Sequence, residues 1–382
     1  MRSERTALGI ALAFLVIALY AAHFMETNGH VVTGMTNQIV WGVPHVFAIF
    51  LIVAASGALN VASIASAFGE KAYKPHAALS VLLAVALLAG GLLVLVLDLG
   101  RPERLVVAAT QYNFRSIFAW NMLLYTGLFA ICAAYLWTLL ERRYGRWTRP
   151  VGIVAFAWRI VLTTGTGSIF GFLVARQAYA TAVIAPLFIA LSLAWGLAAF
   201  LLAQAALGGD ALDEETGRRM GRLLGLFVIV VLWLAAVYHA TNLYWARESA
   251  FERFILLEGS PYPALFWIGF VALGSALPLA LLYHPRLGGP RSRIAAAAWV
   301  TAGALAFLYV FMIGGQAFPL EIFPGYEARS TFGDGAIASY APSLAEFALG
   351  LGGIAAAALV TLAGARLFSI QPQGRPPVAA GD

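Results

Sequence analysis

Two side chains in this sequence are well suited to moving protons in an apolar setting. His45 stands in QIVWGVPHVFAIF at the start of a long apolar run, and Asp98 closes another in VLVLDLGRPERL. An imidazole titrates near neutral pH, so His45 can exchange a proton with a redox-active ligand. A carboxylate at the mouth of an outward-facing pocket can do the same. Each also has a structural reading: His45 as a hydrogen-bonded helix contact, Asp98 as the partner of Arg101 or Arg104 in holding a turn. Pro44 weakens the helix around His45, which is expected about two turns in, with Trp41 near the interface. Beyond Asp98, Gly100 reads as a helix stop, and Pro102 opens a short helix with Glu103 in its first turn. Arg115 and Trp120 follow Tyr112 at the head of a further run, and Arg176 and Tyr179 occupy a turn between two more. Each arginine can simply snorkel. The signal is convergence, since His45, Asp98, Arg115 and Arg176 are expected at one depth, where four polar groups make a ligand pocket.

The elements that must position them are membrane helices. Of 382 residues 61% are apolar and 11% charged, far from the roughly 25% charged residues of a soluble domain. A span needs about 20 apolar residues. Such runs lie near 7–25, 38–67, 76–98, 114–140, 150–175, 179–207, 221–246, 263–283, 294–316 and 343–369. Only ARQAYAT separates the fifth from the sixth. The expectation is an all-α integral membrane protein over 1–382, a single polytopic domain of about ten transmembrane helices. Two four-helix bundles plus two flanking helices should account for them, with a flexible cytoplasmic tail at 370–382. MRSER followed by ALGIALAFLVIALYAA suits a signal sequence as well as a retained first span, and the length of the apolar run favours the span.

Orientation follows from charge. With the N-terminus inside, the inner segments collect Arg2, Arg5, Lys71, Lys74, Arg142, Arg143, Arg146, Arg149, Arg218, Arg219, Arg222, Arg286, Arg291, Arg293, Arg366 and Arg375. The outer ones hold Arg101, Arg104, Arg115, Arg176, Arg247, Arg253 and Arg329. That bias places both termini in the cytoplasm. The outer connections LGRPERLVVAATQYNF, ARESAFERFILLEGSPYP and AFPLEIFPGYEARSTFGDGAIASYAPS are long and aromatic, so the outer face is the working surface or a docking platform. The net charge of +6 is scattered over short loops and offers no face for nucleic acid.

Other polar residues divide between packing and transport. Arg159 lies inside the fifth run and needs a partner or water, and Thr163, Thr164, Thr166 and Ser168 follow in TTGTGS. Small residues serve close helix packing; the alternative is a hydrated path that Asn60 could join. Ser343 and Glu346 resemble an N-cap and its capping partner. Cys132 is the sole cysteine, so these residues contain no disulfide and no cysteine-ligated Fe–S cluster or zinc site. Haem needs axial histidines on facing helices. His23, His45 and His239 near outer helix ends allow at most one such pair, and His30, His76 and His284 fall in loops.

WGVPHVFAIFLIVAASGALN, LLAGGLLVLVLDLGRPERL and YNFRSIFAWNMLLY resemble the NrfD/PsrC family of quinone-interacting membrane subunits. GGQAFPLEIFPGYE and SYAPSLAEF are similar to its DsrP-type members, from DsrMKJOP complexes of sulfur metabolism. The resemblance implies a subunit of the bacterial cytoplasmic (inner) membrane without a redox centre of its own. Such a subunit binds menaquinone or ubiquinone near the periplasmic face. It exchanges electrons with the Fe–S clusters of a periplasmic ferredoxin-like, DsrO-like partner, beside DsrM-, DsrK- and DsrJ-like subunits. Some relatives carry a histidine in the GALN-like part of the second helix, where VAASGALN has none, so His45 rests on the residue argument alone.

The expected site therefore has His45 and Asp98 hydrogen-bonding and exchanging protons with a quinone headgroup. Arg101 or Arg115 would keep Asp98 ionised, and Tyr112, Arg176 and Trp41 would shape the pocket, with no metal ligands. The rivals are a proton- or ion-translocating subunit, resting on Arg159, TTGTGS and Asn60, and a haem-bearing cytochrome b-like subunit.

Overall fold

The computed structural model describes residues 2–207, 212–284, 286–320 and 335–370. Ten of its helices are long and apolar enough to cross a membrane. They are α1 (Arg5–Asn28), α2 (Val43–Ser66), α3 (Lys71–Leu97), α4 (Ile117–Leu140) and α5 (Arg142–Gly171). The second half has α6 (Ile184–Ala206), α7 (Glu214–Tyr244), α8 (Tyr262–Tyr283), α9 (Pro290–Ala317) and α10 (Leu344–Leu367). No strand occurs among the described residues. Lipid offers the backbone no hydrogen bonds, so an apolar segment that closes its own i→i+4 ladder is the form that can cross it. The protein is an all-α integral membrane protein.

The helices form two four-helix bundles and a flanking pair. In the first, α2 packs on α3 and α5, and α4 closes the ring between them. In the second, α6 packs on α7 and α9, and α8 closes that ring. The bundles meet where α2 crosses α6, while α10 lies on α2 and α3 and carries α1 on its far side. The central crossing is a backbone contact. A Cβ on Gly57 would collide with the Ser192 carbonyl, and one on Gly196 with the backbone of Gly57. Small residues at such a crossing let main chains approach and gain dispersion contacts that lipid cannot match.

Local chemistry explains two breaks. The helix expected from residue 38 starts at Val43, because Pro44 occupies the first turn and Gly42 before it is extended (φ −84°, ψ −164°). Proline fits there since a first-turn N–H has no intrahelical partner to lose. His45 therefore stands in the first turn, not two turns in, and Trp41 belongs to the strap over the helix end. Lower down, α2 is interrupted at Leu59. Ser80 Oγ enters the ladder there, donating to Ala58 O (2.6 Å) and accepting from Ala62 N (3.0 Å).

Beyond α3 the backbone makes a 3₁₀ turn at Pro102–Arg104 and a short helix at Leu105–Thr110. At the head of α10, Ser343 and Glu346 form a reciprocal capping box. The expected tail past Ile370 and residues 321–334, which include most of LEIFPGYE, lie outside the described residues.

Candidate functional site

His45 and Asp98 come together at the end of the first bundle. His45 Nδ1 lies 2.7 Å from Asp98 Oδ2; the aspartate side chain is wholly buried and that of His45 is 18% exposed. Asp98 is delivered by the C-terminal end of α3, where its N–H bonds Val94 O (2.9 Å), and His45 by the proline-started first turn of α2. The contact is at ion-pair distance without hydrogen-bond alignment, and neither Asp98 oxygen has another donor among the described residues. A buried carboxylate without donors is costly, and such a group is satisfied by a proton or by a ligand that completes the site. If Nδ1 faces the carboxylate, Nε2 is the ring nitrogen left for a ligand.

Trp41 lies against His45. Its ring stacks on His45 (centroids 6.3 Å, 27°) and meets Phe170 edge-on (5.6 Å, 82°). The strap carrying it is held by Gln316, Gln38 and Tyr340, none of which the sequence marks as a site residue. Gln316 Oε1 accepts from Val40 N and Trp41 N (3.0 Å each), and its Nε2 donates to Trp41 O (3.0 Å). Gln38 Nε2 donates to Ala317 O (2.9 Å) and Ala336 O (3.1 Å). Tyr340 Oη accepts from Val43 N (2.8 Å) and donates to Glu346 Oε1 (2.5 Å). Burial, then that bond to Glu346, push the Tyr340 phenol well above its usual range, so it remains a donor. Gln316 is legible in principle as an amide within an apolar span; its target, a strap some 275 residues away in sequence, is not.

The remaining expected residues take other places. Arg176 is a strut: its guanidinium donates to Gln38 O (2.9 Å) and Gln316 O (3.1 Å), tying the strap to α9. Burial lowers its pKa. Tyr112 stacks on Phe114 (6.0 Å, 18°), which leans on Trp120. Arg101 and Arg115 are exposed. Among the described residues none of Arg101, Arg104 and Arg115 comes within 4 Å of Asp98, whose neighbour is His45. The expectation that an arginine contacts this carboxylate is corrected: the exposed cations face water or headgroups, while Asp98 is turned inward. His30, from the loop after α1, lies over Gly100 in the turn that follows Asp98.

Deeper in the first bundle Arg159 Nη1 donates to Asn60 Oδ1 (2.7 Å) and Ser56 O (3.2 Å). Thr163 joins Ser56, and Asn121 bridges to Gly165 O. The threonines of TTGTGS thus pack helices together with their hydroxyls paired, while Arg159 Nε is buried without a partner.

The second bundle holds another imidazole–carboxylate pair. His239 Nδ1 is 2.7 Å from Glu252 Oε2, and Asn242 Nδ2 donates to Glu252 Oε1 (2.8 Å). His239 Nε2 is buried without a partner, beside Tyr238 and Phe266. The sequence presents His239 only as a conceivable haem ligand, because Glu252 sits in a stretch that reads as outer connection. No group of three or more metal-ligating side chains occurs among the described residues.

Comparison with known proteins agrees with this architecture. Residues 31–320 match the family model described as polysulphide reductase, NrfD. The sequence is 29% identical over 378 residues to the Hdr-like menaquinol oxidoreductase integral membrane subunit of Archaeoglobus fulgidus, covering 95% of this protein and 93% of that one. It is 22% identical over 314 residues to the C polypeptide of the selenate reductase of Mesobacillus selenatarsenatis (71% and 73% covered). The C polypeptide of the polysulfide reductase of Wolinella succinogenes is 26% identical over 309 residues (74% and 96% covered).

Proposed function

The chain belongs to the NrfD polysulphide reductase family, and on that premise we propose that it is the quinone-reactive membrane subunit of a multi-subunit redox complex. One observation carries the assignment of the site: an imidazole at an accessible helix end is backed by a buried carboxylate with no other donor among the described residues, 2.7 Å away. A quinol headgroup supplies two electrons and two protons when it is oxidised. His45 Nε2 would accept one hydroxyl proton while Nδ1 stays with Asp98, whose charge favours the imidazolium that forms. The second hydroxyl proton would pass to water at the outer face as the two electrons depart. Trp41, braced edge-on by the buried Phe170, offers a flat apolar wall to the ring, and Arg176 holds the strap that carries it. The electrons would leave across the outer wall to Fe–S clusters of a partner.

The similarity to a menaquinol oxidoreductase subunit favours menaquinone over ubiquinone. The narrower resemblance to DsrP-type members names the partners we propose: a periplasmic ferredoxin-like, DsrO-like subunit, with DsrM-, DsrK- and DsrJ-like neighbours in sulfur metabolism. The charge bias supports an orientation with both termini in the cytoplasm, and the family resemblance supports the bacterial inner membrane as the location. The Arg159–Asn60–Ser56 seam supports a second reading, proton or ion translocation coupled to turnover. Proteoliposomes that form a pH gradient during quinol oxidation would add it.

A map of the complex with bound quinone tests the main reading. A headgroup oxygen within hydrogen-bond reach of His45 Nε2 is expected. A headgroup bound elsewhere, with His45 and Asp98 untouched, removes the site.

A further inference from the structure

At the basic end of the first bundle, the 3₁₀ segment Arg142–Trp147 forms the opening of α5 and turns the backbone away from α4. Thr148 Oγ1 pins this corner by donating to Thr138 O (3.0 Å). A groove of about 410 Å³ opens beside it, walled by Trp137, Tyr144, Trp147, Ala133, Ala134 and Val151. Trp137 meets Tyr144 edge-on at 6.2 Å. Both tryptophans are strongly exposed, 63% for Trp137 and 50% for Trp147.

The rim of the groove is cationic. Arg142, Arg143, Arg146 and Arg149 are all exposed, and none has a carboxylate within 4 Å among the described residues. The nearby Glu141 side chain is engaged in accepting from Arg143 N (3.3 Å). The Arg143 guanidinium lies 6.0 Å from the Tyr144 ring centre and that of Arg146 5.7 Å from Trp147. These contacts direct the charge to the head of the apolar slot.

We propose that this corner binds one anionic phospholipid, with an acyl tail in the groove and the phosphate between Arg143 and Arg146. The two halves of the site select the occupant together. The apolar walls include residues of α4 within its span, where an acyl tail is the natural filling. The unneutralised rim calls for a net negative headgroup, since a zwitterionic lipid would bring its own cation among the arginines. A soluble acidic partner would use the rim and leave the groove empty.

The test uses tryptophan quenching by lipids brominated on their acyl tails, in nanodiscs holding the purified full-length protein. The contribution of the groove is the signal lost in Trp137→Phe and Trp147→Phe. Brominated phosphatidylglycerol should quench these tryptophans at a far lower mole fraction than brominated phosphatidylcholine. Arg143→Gln and Arg146→Gln should each shift the phosphatidylglycerol curve by roughly fivefold, with an unchanged melting curve as the control for folding. Identical curves for the two lipids, or arginine variants that leave the phosphatidylglycerol curve unmoved, overturn the proposal. So does a groove quenched by neither lipid in the assembled complex, which would mean that a protein neighbour covers it.

Discussion

Replacing Asp98 with Asn removes one charge and almost nothing else. The side chain is wholly buried and its Oδ2 is 2.7 Å from His45 Nδ1, so shape and packing are kept while the support for a protonated imidazole is lost. Opposite charges centred about 4 Å apart interact by about 4 kcal/mol at an effective dielectric constant near 20. With about half of the imidazolium charge developed in the transition state, the loss is about 2 kcal/mol, or roughly thirtyfold in kcat/KM for quinol. His45→Ala removes the proposed base and should cost roughly a hundredfold or more. The assay is reduction of the partner's Fe–S centres by quinol in the solubilised complex, with a water-soluble donor that bypasses the membrane subunit as the control. The donor rate and the make-up of the complex should be unchanged in both variants. If Asp98→Asn turns over within about twofold of wild type, the aspartate does not act through His45 and the dyad is not the proton acceptor.

Gln316→Leu strips Val40 N, Trp41 N and Trp41 O of their partners. These bonds are part-buried, so at about 1 kcal/mol for each group left unpaired, both Tm in detergent and quinol affinity should fall; a normal KM would show that the Trp41 strap does not shape the site. Gly57→Val should abolish the monodisperse folded protein, because its Cβ would enter the backbone of α6, whereas Gly145→Ala, with nothing within 4 Å, should behave as wild type. Asp213 caps α7 by accepting from Thr216 N (2.8 Å), and hydrogen bonds from the Thr216 side chain and backbone hold its carboxyl below the ordinary range. Asp213→Ala should cost about 1 kcal/mol at neutral pH. That stabilisation is present above the ordinary carboxylate pKa of about 4 and is lost as pH falls through the depressed value. The Tm difference between variant and wild type should therefore close in acid, and a difference that persists there would contradict the cap assignment.

Much of the architecture is written in local chemistry. Apolar run length sets how many helices can cross a bilayer, because the hydrocarbon thickness is fixed and each span must satisfy its own backbone. Ser343 and Glu346 predict their own capping box since both partners lie within one turn. His45 and Asp98 stand out because an ionisable group at the end of an apolar run is expensive wherever it points. Pro44, taken by itself, reads as a weak point inside a helix, yet it marks the start of one. A proline is compatible with both, and only the extended Gly42 before it separates the two cases.

Pairing across the bundle was decided by tertiary structure alone. Asp98 has Arg101 and Arg104 as sequence neighbours, yet its contact is His45: α3 turns the carboxylate inward while the arginines stay exposed. Arg176 has the composition of a ligand contact, but the strap and the end of α9 present two carbonyls that its guanidinium satisfies. The Trp41 clamp joins Gln316 to residues 40 and 41, and the His239–Glu252 pair needs the segment after α7 to fold back under its own helix end. The sequence by itself determined a membrane bundle with two ionisable residues at helix ends, because length, hydropathy and ionisability belong to single residues and short windows. Which of these groups meet, and which arginines are struts, depends on helix rotation and crossing. Those are set by contacts such as Gly57 against Gly196, between segments that no local window contains.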